Sequence, residues 1–267
     1  SEKVEMISTY APQNCGYGNA NLQQLGFANS QIGYMSEGCY GQYRTVDGGY
    51  TWNKVSNAAS NLRLVLFASD NIGWLLGDWG LYRTTDAGSN WSNKNAPFFN
   101  TGVFTKMFAM DTNRLWVLKS AYYDGNGASV WYSSNSGSNW TSVNTGLVSN
   151  PDSQVTYYDM KINSNGAGFI VGSIFTPYNY SIVGFILRTQ DLGLTWTISY
   201  YPDERFVNII CNSDNEWFLL GNRGYYDNSQ IIQRKTDDGG FTWQYSEPLL
   251  GIVPSSTLYT AIFSPVK

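Results

Sequence analysis

Short apolar runs alternate with polar, glycine-bearing turns along the whole chain, and the runs are too short and too closely punctuated for helices. Residues 62–94 show the pattern most plainly. Leu62–Phe67 predicts a first strand, Ser69-Asp70-Asn71 a turn, Ile72–Gly77 a second strand, Leu81–Thr84 a third and Asn90–Lys94 a fourth. The same order returns upstream as Leu22–Phe27, Ile32–Ser36, Gln42–Thr45 and Thr51–Val55. Downstream it returns three times. The third unit is Thr105–Ala109, Leu115–Leu118, Ser129–Ser133 and Asn139–Val143; the fourth is Val155–Ile162, Gly168–Gly172, Gly184–Thr189 and Thr195–Ser199. The fifth is Phe206–Cys211, Glu216–Gly221, Gln230–Thr236 and Thr242–Ser246. Units of four short strands are propeller blades. Residues 1–21 and 247–267 are left over. Val4–Tyr10 and Leu258–Phe263 in them predict a sixth blade closed by strands from both termini; a five-bladed ring is the alternative.

Each unit carries one motif between its third and fourth strands, of the form [ST]-x-[DN]-x-G-x-[TN]-W. The copies run from Thr45 to Trp52, Thr84 to Trp91, Ser133 to Trp140, Thr189 to Trp196 and Thr236 to Trp243. An Asp or Asn side chain can fold back onto turn N–H groups, and glycine admits positive φ, here expected at Gly48, Gly88, Gly137, Gly193 and Gly239. The closing Trp can anchor the next strand. Asn135 keeps the acceptor and lacks the charge, which suits a turn former better than a catalyst.

These five copies resemble the Asp-box, or sialidase-type BNR repeat, over about residues 22–246. The Asp-box propellers include sialidases, sortilin ectodomains, photosystem II assembly-factor-like propellers and secreted bacterial glycan-active proteins. The resemblance implies an all-β fold, a β-propeller of four-stranded antiparallel blades in a single domain over residues 1–267. It implies no single function, because those families do unrelated things.

Composition narrows the chemistry. Charged residues are 13% and aromatic residues 16% of 267, with 20 Tyr and 10 Trp. A formal net charge of -4, with basic residues scattered, excludes a nucleic-acid partner. No apolar run is long enough for a transmembrane helix, so membrane insertion is not expected. A secreted, periplasmic or cell-surface setting fits the low charge and the absence of histidine; no signal peptide is present in this chain. That absence also removes histidine-based acid–base catalysis and metal sites, so no metal and no cofactor is expected. Cys15, Cys39 and Cys211 are an odd set; Cys15 and Cys39 either pair or remain free thiols.

In an up-and-down blade the 1–2 and 3–4 turns share one face, so the 2–3 loops lie on the other. Those loops hold Tyr40; Trp79; Tyr122, Tyr123 and Asp124; Tyr178 and Tyr180; and Tyr225, Tyr226 and Asp227. Phe98-Phe99 and Tyr200-Tyr201 join them from blade-to-blade segments. Tyrosines beside carboxylates suit sugar stacking with hydroxyl hydrogen bonds, and suit a protein interface equally. The competing reading is that they fold inward and plug the channel. The expected function is thus a non-enzymatic module that binds a glycan or a protein. The alternatives are an envelope scaffold or a glycoside hydrolase with a carboxylate pair drawn from Glu37, Asp78, Asp124, Asp203, Glu204 and Asp227. The early Arg-Ile-Pro motif of sialidases is absent, and Arg44, Arg83 and Arg188 occupy one structural slot beside the repeat. Asn90, Asn139 and Asn179 head glycosylation-type triplets; the first two lie inside the repeat.

Overall fold

A computed structural model describes residues 22–37, 42–55, 62–77, 80–99, 103–121, 128–147, 152–224 and 230–246. Two compact units are distinguished, one drawn from residues 1–100, 109–116 and 132–141, the other from residues 101–108, 117–131 and 142–267. The described residues form five four-stranded antiparallel sheets and no helix, the blade architecture expected. The sixth blade expected from Val4–Tyr10 and Leu258–Phe263 lies outside them.

The first unit holds blade 1, with β1 (Leu22–Phe27), β2 (Gly33–Glu37), β3 (Gln42–Thr45) and β4 (Asn53–Lys54), and blade 2, with β5 (Leu62–Phe67), β6 (Gly73–Gly77), β7 (Leu81–Thr84) and β8 (Ser92–Lys94). Blade 3 contains β9 (Val103–Ala109), β10 (Leu115–Ser120), β11 (Ser129–Ser133) and β12 (Thr141–Val143), in the order β12-β11-β10-β9. The second unit holds blade 4, with β13 (Gln154–Ile162), β14 (Gly168–Thr176), β15 (Ser181–Thr189) and β16 (Thr197–Pro202), and blade 5, with β17 (Glu204–Cys211), β18 (Trp217–Arg223), β19 (Gln230–Thr236) and β20 (Gln244–Tyr245).

Second strands are buried on both faces, and their sequences are correspondingly apolar on both faces: every residue of β6 and β10 is buried. Fourth strands are the exposed rim: β4 and β20 are exposed throughout.

The repeated motif folds alike in all five blades. In blade 1 the Thr45 hydroxyl donates to Asp47 Oδ1 (2.7 Å) and accepts from the Gly49 N–H (2.9 Å), and Asp47 also accepts the Thr51 N–H (2.9 Å) and hydroxyl. Thr84/Asp86, Ser133/Asn135, Thr189/Asp191 and Thr236/Asp238 repeat the set. The position before the motif glycine also has positive φ, even where it is Ala87 (54°), Ser136 (61°) or Leu192 (61°). Two successive positive φ values give the tight turn inside the loop the φ pattern of type I′, closed in blade 2 by the Ser89 N–H on the Asp86 carbonyl at 3.2 Å. This extends the expectation for Gly48 and Gly239, which occupy that preceding position; the motif glycines of their blades are Gly49 and Gly240, and all four have positive φ.

A second demand on the motif glycine was not visible in the sequence. In blades 1, 2 and 4 the first aromatic of the second strand packs on the motif turn of the following blade. Tyr34 donates its hydroxyl to the Gly88 carbonyl, and Trp74 Nε1 donates to the Ser136 carbonyl at 3.1 Å. A Cβ on Gly88 would lie 2.4 Å from Tyr34, and one on Gly240 2.2 Å from Phe169. Arg44 and Arg188 reach the same turns, donating to the carbonyls of Ala87 (3.2 Å) and Gly239 (2.8 Å), which confirms their structural slot.

Candidate functional site

One backbone hydrogen bond per blade fixes which ends lie together. The residue before the motif glycine donates its N–H to the strand 1–2 turn of its own blade. The pairs are Gly48 to Gln31 (2.8 Å), Ala87 to Asn71 (3.0 Å), Ser136 to Asn113 (2.8 Å), Leu192 to Gly166 (3.0 Å) and Gly239 to Asn215 (2.9 Å). Both turns are therefore occupied with each other, and the 2–3 connections are left at the other end to vary.

Blade 4 uses that freedom most. The first half of the segment Ser173–Tyr180, all of it expected as a loop, is strand. Ser173, Ile174, Phe175 and Thr176 extend β14 and pair with Gly184, Val183, Ile182 and Ser181 of β15. Its β-branched and aromatic residues favour the pleated ladder once a partner of like composition lies opposite. β14 and β15 thus have nine residues each, against five and four for β6 and β7. At the tip Tyr178 is 96% exposed and Tyr180 63%. Tyr180 holds φ 52°, and Asn179 Oδ1 accepts the Ser181 N–H at 3.2 Å, which fixes the turn.

Beside this hairpin lies an ion cluster around a buried carboxylate. Glu204, expected as an open loop carboxylate, begins β17 with its side chain 3% exposed. It accepts from Arg223 Nη2 (2.8 Å), from Arg234 Nε (2.8 Å) and Nη2 (2.9 Å), and from the Tyr245 hydroxyl. The Arg234 guanidinium lies 4.6 Å from the Tyr201 ring centre and 4.0 Å from that of Tyr245. A carboxylate so neutralised is a poor general acid or nucleophile, so Glu204 leaves the set of catalytic candidates. Arg234 was missed in the sequence, and basic residues that are scattered along the chain converge here. No local spacing signals it, because the three charges come from three strands of one blade. Tyr200-Tyr201, expected as a loop, belongs to β16; Tyr200 is exposed, and Tyr201 packs against the core.

Of the aromatic positions expected at this end, Tyr178 and Tyr180 are exposed. Phe98 is not: it is buried, with its ring edge-on to Trp140 at 4.9 Å. Tyr40, Trp79, Tyr122, Tyr123, Asp124, Tyr225, Tyr226 and Asp227 lie outside the described residues, as do Asp78, Cys15 and Cys39, and the side chain of Glu37. Asp203 is exposed, at φ 62°.

The motif carboxylates are engaged in their turns. The Thr51 hydroxyl and N–H hold Asp47 well below the ordinary carboxylate range, at about 2, and the Thr242 hydroxyl and N–H lower Asp238 likewise. Asn90 lowers Asp86; its amide is bound to Asp86 Oδ2 at 2.8 Å, so this glycosylation-type asparagine is committed to the turn. A second buried carboxylate, Asp159, meets Lys106 Nζ at 2.6 Å and accepts the N–H groups of Met160 and Ile209, a structural role that the sequence reading overlooked. Among the described residues no group of three or more acidic or cysteine side chains could hold a metal, and no helix is long and apolar enough to cross a membrane.

No family model and no curated protein matches this chain. Solved structures do. A crystal structure of an ancestral GH74 enzyme matches over 85% of the chain at 16% identity with a TM-score of 0.64, and the GH74 xyloglucanase of Xanthomonas campestris over 84% at 12% identity with a TM-score of 0.62. The chain spans 31% and 38% of those two enzymes. YCF48 bound to a D1 peptide matches over 85% of this chain and 82% of that one, at 18% identity and a TM-score of 0.45. The likeness to the two enzymes is one of fold, β-propeller with β-propeller, a fold that serves binding and catalysis alike.

Proposed function

We propose that this chain is a single-domain binding propeller of the Asp-box type, set outside the cell or on its envelope. Its ligand is a polysaccharide, held at the end opposite the repeated turns. The observation that carries this reading is the blade 4 hairpin, which presents two exposed tyrosines, Tyr178 and Tyr180, in the turn between paired nine-residue strands. A rigid tyrosine offers a flat apolar face and a hydroxyl at low entropic cost, which matches a sugar ring and its hydroxyls. The test is affinity electrophoresis through gels containing xyloglucan, β-glucan, galactomannan or xylan, with the parent chain beside a Tyr178→Ala/Tyr180→Ala variant. Retardation of the parent that the variant loses supports the reading. Free migration of the parent in every gel overturns it and leaves a protein ligand.

Glycoside hydrolysis is the second reading, and the comparisons support it more than they support a lectin. The two enzymes reported above, each with a TM-score above 0.6, are GH74 enzymes, one of them a xyloglucanase. The carboxylates available for it are Glu37, Asp78, Asp124, Asp203 and Asp227, since Glu204 is ion-paired. Release of reducing ends from xyloglucan, abolished by one Asp→Asn change among them, would establish this reading over the first.

A further inference from the structure

The outer strand of blade 4 differs from every other outer strand described. β4 and β20 have two residues, and β8 and β12 three; β4 and β8 each end on a lysine. Short length and lysine are the ordinary means by which an edge is kept from pairing with another chain. β16 has neither. It runs six residues, Thr197-Ile198-Ser199-Tyr200-Tyr201-Pro202, without a charge and without a register shift against β15. It ends its sheet, and among the described residues no strand pairs with its outer side.

The direction of its backbone groups follows from one hydrogen bond. Asp203 donates its N–H to the Ile182 carbonyl at 2.9 Å, one step beyond the Val183–Pro202 pair. Antiparallel pairs alternate between bonded and non-bonded. Gly184–Tyr201, Ile186–Ser199 and Arg188–Thr197 are therefore the bonded pairs, and the N–H and C=O groups of Ile198 and Tyr200 point away from the sheet. Four strong hydrogen-bonding groups thus line an uncharged edge rich in residues that favour strands.

We infer that β16 is a homodimerisation edge, pairing antiparallel with β16 of a second copy about a two-fold axis at Ser199. The pattern is self-complementary. With Ser199 opposite Ser199 of the second copy, the outward groups of Ile198 fall opposite those of Tyr200 and the reverse, which closes four backbone hydrogen bonds. Each Ile198 then lies against a Tyr200, the aromatic–β-branched pair that stabilises cross-strand contacts. The exposed serine at the axis keeps the strands close, and the lack of charge removes the repulsion that a two-fold axis imposes on any charged residue near it. The same register argues against a partner of fixed charge, for which this edge has no complement.

Sedimentation velocity tests it between about 1 and about 200 µM, the range that brackets a small interface. The parent should pass from monomer to dimer across that range. Ser199→Lys and Ser199→Glu each place like charges face to face at the axis, and each alone should raise the dissociation constant about three- to fivefold. An equimolar mixture of the two variants should recover the dimer, which a folding defect would not allow. A parent that stays monomeric at the highest concentration overturns the inference. So does a dimer that either substitution leaves unweakened, or a mixture that fails to re-form it while both variants melt like the parent.

Discussion

Blades 2 and 4 carry the same turn at one end and have almost nothing in common at the other. Thr84, Asp86 and Gly88 make in blade 2 the bonds that Thr189, Asp191 and Gly193 make in blade 4, within about 0.1 Å by the general precision of such geometry. At the opposite end β6 and β7 are joined across Gly77–Gly80, where one N–H bonds one carbonyl at 2.9 Å. β14 and β15 instead run on to an exposed tyrosine tip, and β16 follows them out along the rim. The conserved end is bound to its own blade and to the next, so a change there propagates. The other end lacks that repeated set of bonds, and in blade 4 it lengthens as a continued ladder between β14 and β15. That asymmetry is why the candidate site sits where it does.

Four experiments break or sharpen this contrast. The largest expected effect belongs to Glu204, which has no counterpart in blade 2. Glu204→Ala leaves Arg234, 11% exposed, without its carboxylate, and should cost about 3–5 kcal/mol, seen as a fall in the urea midpoint. A loss under about 1 kcal/mol would mean that the cluster is better solvated than its burial implies.

Gly88→Ala attacks what the two blades share. The added methyl must hold φ near 78° and meets the Tyr34 ring, so a loss of about 2–4 kcal/mol is expected in the same urea experiment. Gly146→Ala is its control. It has a similar φ of 72° and nothing within 4 Å, so only the backbone term of about 1–2 kcal/mol should remain. Equal losses at the two positions would remove the aromatic contact from the account.

Acid probes the shared turn more gently. The motif aspartates have folded pKa values below their unfolded ones, with Asp47 at about 2, so they bind protons more weakly when folded. Their stabilisation is complete above the unfolded value of about 4 and is lost as pH falls through the folded values. The melting temperature should therefore drop between about pH 4 and pH 2. Asp47→Asn, which copies the uncharged third motif, should flatten that drop; an unchanged slope would assign it to other carboxylates.

The smallest effect on stability is expected where the blades differ most in sequence. Tyr178→Ala/Tyr180→Ala should shift stability by less than about 0.5 kcal/mol while abolishing ligand binding. A large loss of stability would instead make the tip a structural contact.

How much of this was legible in the sequence depends on the distance over which a feature is held. Thr45, Asp47, Gly49 and Thr51 bond one another within seven residues, so their spacing alone gave the turn. Apolar runs between such turns gave the strands, apart from the ends of β14, β15 and β16, where residues read as loop find a ladder partner. Tyr178 and Tyr180 were readable as candidates, because a hairpin tip can bury little.

The sequence by itself therefore determined the repeat, the five four-stranded blades and the end at which variation is free, since each rests on hydrogen bonds between near neighbours in the chain. Only the tertiary structure decided that Arg223 and Arg234 close on Glu204, that Tyr34 seats on Gly88 54 residues away, and that β16 is left as a long uncharged edge. Those contacts join positions whose separation in the chain carries no period, and their free energy comes from burial that exists only once the blades have packed.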